Sequence, residues 1–112
     1  MSRVDDQFEF AKDVARLVAY ITNQGYKVTF GEAYRTVEQQ QIYVKNGRSK
    51  TMNSRHLDRM AVDFNIFKGD KLLSTVAELE LFGKYWESLN PKNRWGGFWN
   101  SFKDLPHFER RV

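Results

Sequence analysis

The first apolar period in the chain is helical. Between Asp5 and Asn23, Phe8, Ala11, Ala15, Val18 and Ala19 recur every third or fourth residue, with Val14, Leu17 and Ile21 widening the stripe. This spacing predicts an amphipathic helix whose task is core packing, ended by Gln24-Gly25. The period then changes to two. Tyr26-Lys27-Val28-Thr29-Phe30 alternates apolar and polar in β-favouring residues, which predicts a strand that continues extended through Gly31 to Arg35. Thr36-Val37-Glu38-Gln39 fits a capping box opening a short helix that runs to about Lys45 and closes at Asn46-Gly47.

Arg48 to Ser54 has no apolar period and is expected to be a surface loop. After it, Met60, Val62, Phe64 and Ile66 alternate with Ala61, Asp63 and Asn65, so a second strand should set its apolar set on one face and Asp63 on the other. Lys68-Gly69-Asp70 reads as a turn, with Lys71-Leu72-Leu73 returning as a brief strand. Thr75 to Glu78 is another capping box. Val76, Leu79, Phe82, Gly83, Trp86 and Leu89 trace one face of the helix that follows, and Asn90-Pro91 terminates it. The last stretch is aromatic with paired glycines, Arg94-Trp95-Gly96-Gly97-Phe98-Trp99. His107 to Val112 then reads as a terminal strand that would place His107 beside Asp63 on a shared sheet.

Composition narrows the class of molecule. The 112 residues fit one domain, 1–112, and nine Phe, five Tyr and three Trp supply enough apolar area for a core. With no cysteine, a metal could be held only by histidine and carboxylate. Met1 to Gln7 carries Arg3, Asp5 and Asp6 with no apolar run behind it. The expectation is therefore a chain made in the cytoplasm, without secretory signal or membrane insertion. A net charge of +4 favours polyanionic partners, nucleic acid or an anionic bacterial wall. The basic residues are scattered, however, and fit a solvated surface equally well.

The two histidines draw the chemistry together. His56 precedes Asp63, and His107 follows Asp104. A catalytic zinc takes three protein ligands of N or O type and keeps one position open, a count that His56, Asp63 and His107 supply. A carboxylate at Asp63 in a half-buried strand needs a compensating cation, which a metal or one of Arg35, Arg55 and Arg59 could provide. Asp104 lies three residues before His107 with Pro106 between them. There it could take a proton from an attacking water and pass it to a departing amine.

These residues also carry a family resemblance. Ser54-Arg55-His56, with Ala61 and Asp63, resembles the S-x-H-x-x-G-x-A-x-D motif of zinc peptidases that include D-alanyl-D-alanine carboxypeptidases and dipeptidases and phage L-alanyl-D-glutamate endopeptidases. Trp95-Gly96-Gly97-Phe98-Trp99 and Asp104-Leu105-Pro106-His107-Phe108-Glu109 are similar to that family's second block, W-G-G-x-W followed by D-x-P-H-F-E. Gly31 to Thr36, with Glu38-Gln39, is similar to a segment in which an arginine precedes a helix beginning T-x-E-Q. Arg59 departs from the pattern, standing where the family has glycine. If that glycine serves a positive φ angle, arginine must adopt it at a cost.

The resemblance implies an α+β fold of the hedgehog and D-Ala-D-Ala peptidase kind, with helices packed on a central antiparallel sheet and a zinc site on the sheet. It implies zinc at His56, Asp63 and His107, Asp104 as general base and acid, and Arg35 stabilising the oxyanion. Ser54, Arg59, Trp95, Phe98 and Trp99 are candidates for the substrate groove, the aromatics serving equally well as core. The expected activity is hydrolysis of a peptide bond in the peptidoglycan stem peptide, of L-Ala-D-Glu endopeptidase or D-Ala-D-Ala carboxypeptidase type, by a monomeric, phage-type endolysin. It would reach the wall after release through a separate pore. The partners are then peptidoglycan or its peptide fragments, with no nucleic acid. The alternatives are a non-catalytic metal-binding module of the same fold and a basic nucleic-acid-binding protein.

Overall fold

The computed structural model describes residues 3–33, 36–45 and 59–111, without the side chains of Val37 and Tyr43. The elements run α1 (Arg3–Asn23), β1 (Lys27–Phe30), α2 (Val37–Lys45), β2 (Ala61–Lys68), β3 (Lys71–Leu72), α3 (Val76–Leu89), β4 (Asn93–Trp95), a 3-10 turn (Gly96–Phe98) and β5 (His107–Arg110). The fold is α+β. Strands β1-β2-β5-β4 form an antiparallel sheet, with β3 returning beside β2. The N-cap bond of each expected capping box forms: Thr36 Oγ1 accepts from the Gln39 N–H at 3.1 Å and Thr75 Oγ1 from the Glu78 N–H at 3.2 Å, while the Glu78 carboxylate accepts from the Ser74 N–H.

Strand β2 carries the alternation that its sequence predicts. Val62, Phe64 and Ile66 are buried in the core, while Asp63 and Asn65 alternate with them and are only half-buried. Against the core face pack α1 and α3, through Phe10, Leu17 and Ile21 from the first and Leu79, Phe82 and Trp86 from the second. The Trp86 ring meets Phe10 and Phe108 edge-on at 5.6 and 6.0 Å, and its indole N–H donates to the Glu109 carbonyl at 3.0 Å. One side chain thus links α1, α3 and β5. The Asp13 carboxylate, buried at 5% exposure, accepts from Arg16 Nη1 and Asn93 Nδ2 and ties α1 to β4.

The face of α1 differs from the expected stripe. Phe8 is 59% exposed and Ala11, Ala15 and Ala19 face solvent, while Phe10, Asp13, Leu17 and Ile21 are the buried positions. Two apolar stripes share this helix. The one with the larger side chains turns inward because burying Leu, Ile and Phe removes more apolar area from water than burying alanines. The expected extension of β1 is partly present: beyond Phe30, the Gly31 N–H donates to the Asp63 carbonyl and the Asp63 N–H to the Glu32 carbonyl. Tyr34 and Arg35 lie outside the described residues.

The aromatic stretch splits into β4 and the 3-10 turn, neither of which has a sequence period of its own. Gly83 of α3 and Gly97 admit the Trp95 ring. A Cβ on either glycine would fall well inside van der Waals contact with it.

Candidate metal and catalytic site

The site is built where β2 meets β5. Their antiparallel register makes Asp63 and His107 direct partners, with Ala61 opposite Glu109 and Val62 opposite Phe108. Side chains alternate across a strand, so burying Val62 and Phe108 in the core turns Asp63, His107 and Glu109 to the other face. His107 Nδ1 lies 3.2 Å from Asp63 Oδ1, and its Nε2 lies 2.8 Å from Glu109 Oε1.

Asp104 reaches the same point from the preceding loop, its Oδ2 being 3.9 Å from His107 Nδ1. Backbone bonds fix it there. The Asp104 N–H donates to the Gly96 carbonyl and the His107 N–H to the Asp104 carbonyl, each at 3.1 Å. A side chain at residue 96 would collide with the Asp104 backbone, so the first of the paired glycines is what permits this approach. The Phe64 N–H donates to the Pro106 carbonyl and the Trp95 indole to the Leu105 carbonyl, which sews the loop to β2 and to the core.

Electrostatically, the site is a histidine among carboxylates. Burial alone pushes the His107 imidazole down, but hydrogen bonds to Asp63 and Glu109 outweigh it, helped by the charges of Asp63 and Asp104. The result is a value raised from 6.5 to about 9. In this arrangement the imidazolium occupies the place of a bound cation. One donor atom from each of Asp63, Asp104 and His107 lies within 4.8 Å of the others, a spacing a metal ion can bridge. The donor set of imidazole nitrogen and carboxylate oxygen suits zinc, and Nδ1, directed at Asp63, is the ring nitrogen on the side where the carboxylates converge. Glu109, holding Nε2 at 2.8 Å, would serve with a metal bound as the outer partner that fixes the ring's orientation and tautomer.

The structure therefore brings together Asp63, Asp104 and His107. Ser54, Arg35 and His56 lie outside the described residues. Arg59 adopts φ +57°, the left-handed conformation that glycine takes without strain. Of the groove aromatics, Trp95 is fully buried beneath the site against Phe108 and Phe98. Phe98 is 36% exposed. Trp99 lies over His107 with ring centroids 5.2 Å apart, and Lys103 Nζ donates to the Gly97 and Trp99 carbonyls to hold that loop. Sequence reasoning gave Glu109 no role. Its signal was present in the spacing: two residues beyond His107 in a strand, it must share His107's face.

Comparisons with known proteins agree with this geometry. A family profile described as D-alanyl-D-alanine carboxypeptidase matches residues 47–110, more than half of the chain. The chain is 32% identical over 120 aligned positions, 97% of its length, to the L-alanyl-D-glutamate peptidase of Listeria phage A118, of which it spans 40%. It is 30% identical over 116 aligned positions, 83% of its length, to the peptidoglycan L-alanyl-D-glutamate endopeptidase CwlK of Bacillus subtilis, of which it spans 66%. The fold matches the crystal structure of the Serratia marcescens L-Ala D-Glu endopeptidase ChiX with a TM-score of 0.71 and 24% identity, over 89% of this chain and 79% of that one. With the matched profile spanning β2, β5 and all the acids that converge on His107, the chain belongs to the D-alanyl-D-alanine carboxypeptidase family of peptidases.

Proposed function

We propose that this chain is a zinc-dependent peptidoglycan peptidase that hydrolyses a peptide bond of the stem peptide, of the L-alanyl-D-glutamate endopeptidase type. The observation that carries the reading is the convergence of Asp63, Asp104 and His107 on one point of the sheet. The names of the phage and Bacillus relatives favour the endopeptidase over the carboxypeptidase.

In this reading Asp63 and His107 would hold the metal together with His56, and Arg35 would stabilise the oxyanion. Zinc bound there supplies Lewis acidity to the scissile carbonyl and to the attacking water. Asp104 takes a proton from that water at its carboxylate and delivers it to the departing amine. Glu109 keeps His107 in the orientation that ligation needs, and Trp99 shields the imidazole on one side. Its substrate is then the stem peptide of the cell wall.

Metal analysis combined with mass spectrometry of muropeptide products tests the proposal. Wild type and Asp104→Ala should each carry about one zinc per chain, with cleavage lost only in the variant. Cleavage by zinc-free protein would overturn the mechanism.

A further inference from the structure

Beyond the acids, the open face of β2 carries one more side chain with hydrogen-bonding capacity. Asn65 follows Asp63 by two residues, so the two point to the same face about 6.6–6.8 Å apart. It is half-buried and pairs in register with the exposed Thr29 of β1. Among the described residues no group hydrogen-bonds its carboxamide. Its amide is not among the buried unpartnered groups, so its donor and acceptor are open to solvent and can be taken up by a ligand without breaking a bond within the protein.

The surroundings suit a peptide. Gly31 borders both residues: a Cβ there would lie 3.1 Å from Asp63 Cβ and 3.7 Å from Asn65 Nδ2, so glycine keeps the floor between them low. On the other side, Asn65 lines a cavity of about 160 Å³ with Leu72, Leu105 and Pro106, the last two belonging to the loop that carries Asp104. A polar amide at the rim of a small apolar hollow is the combination that binds a backbone group beside a small aliphatic side chain. An extended chain advances about 3.3 Å per residue, so a substrate lying along β2 would set above Asn65 a group about two residues from the one held at Asp63.

We propose that Asn65 is a substrate-recognition residue whose carboxamide hydrogen-bonds a backbone peptide group of the substrate, about two residues from the scissile bond. A carboxamide and a peptide group are complementary, each offering one N–H side and one carbonyl. The inference rests on the peptidase reading and adds a specificity element that lies outside the metal and proton-transfer groups.

The test compares wild type, Asn65→Ala and Asn65→Ser on a muropeptide bearing an intact stem peptide. Calorimetric binding of the same muropeptide is measured to Asp104→Ala and to Asp104→Ala/Asn65→Ala. Loss of one neutral hydrogen bond should raise KM and weaken binding about three- to tenfold in the alanine variants, with kcat and zinc content close to wild type. Asn65→Ser, which retains a hydrogen-bonding group, should lose less. Unchanged KM and Kd would overturn the role of Asn65 while leaving the peptidase reading intact. A fall in kcat that tracks a lowered melting temperature would overturn it in favour of a structural role. Wild type that neither binds nor cuts stem peptides would remove the peptidase reading, and this inference with it.

Discussion

At the scale of single residues, His107 decides how the site responds to pH and to metal. Its imidazole is held above the ordinary value, so in metal-free protein the stabilisation from its charged form is complete below about pH 6.5 and is lost as pH rises through about 9. The loss should be on the order of 3 kcal/mol, read by urea unfolding in chelator at pH 6 and pH 9.5. Equal stability at the two values would contradict the charged histidine. Zinc needs the neutral ring, so uptake at pH 7 should release a proton, detectable by calorimetry in buffers of different ionisation enthalpy. Glu109→Gln removes the carboxylate from Nε2 and should weaken zinc binding about 10- to 100-fold in a chelator competition. Arg59 makes the opposite kind of statement. At φ +57° arginine carries strain that glycine would relieve, so Arg59→Gly should stabilise the fold by up to about 1 kcal/mol in denaturant titration.

At the scale of elements, what was legible in the sequence was whatever depends on local pattern. The alternation from Met60 to Ile66 placed Asp63 opposite the core side chains, and the two capping boxes located the starts of α2 and α3. The placement of His107 beside Asp63 came from reading the final residues as a strand, and the register bears it out. Strand order was not legible, because which strand pairs with which is settled by non-local packing. The inward face of α1 was misjudged for a related reason: its two apolar stripes have similar periods, and only the shape of the core chooses between them. Strand β4 was missed because Asn93-Arg94-Trp95 is too short to show a period, and is held instead by α3 and β5. That dependence predicts a large effect from a small change. Gly83→Ala on α3 would drive a methyl into the Trp95 ring and should cost about 1–3 kcal/mol in thermal unfolding, although alanine is the better helix former.

At the scale of the whole molecule, net charge and sheet topology matter most. No described helix is long and apolar enough to cross a membrane, and a net charge of +4 suits an anionic surface. Binding to insoluble cell walls in a sedimentation assay should therefore weaken as salt rises from about 0.05 to 0.5 M, over which screening shortens from about 14 to 4 Å. Binding that is insensitive to salt would rule out a charge-driven mode. The pairing of β2 with β5 has a further consequence, for how the molecule comes into being. His107 and Asp63 are 44 residues apart in sequence, and β5 is the last of the described strands while occupying an interior position in the sheet. During synthesis every other described element leaves the ribosome before the strand that completes the sheet. A nascent chain shorter than residue 107 thus has neither a finished sheet nor the meeting of His107 with Asp63, and both arrive together when β5 is made.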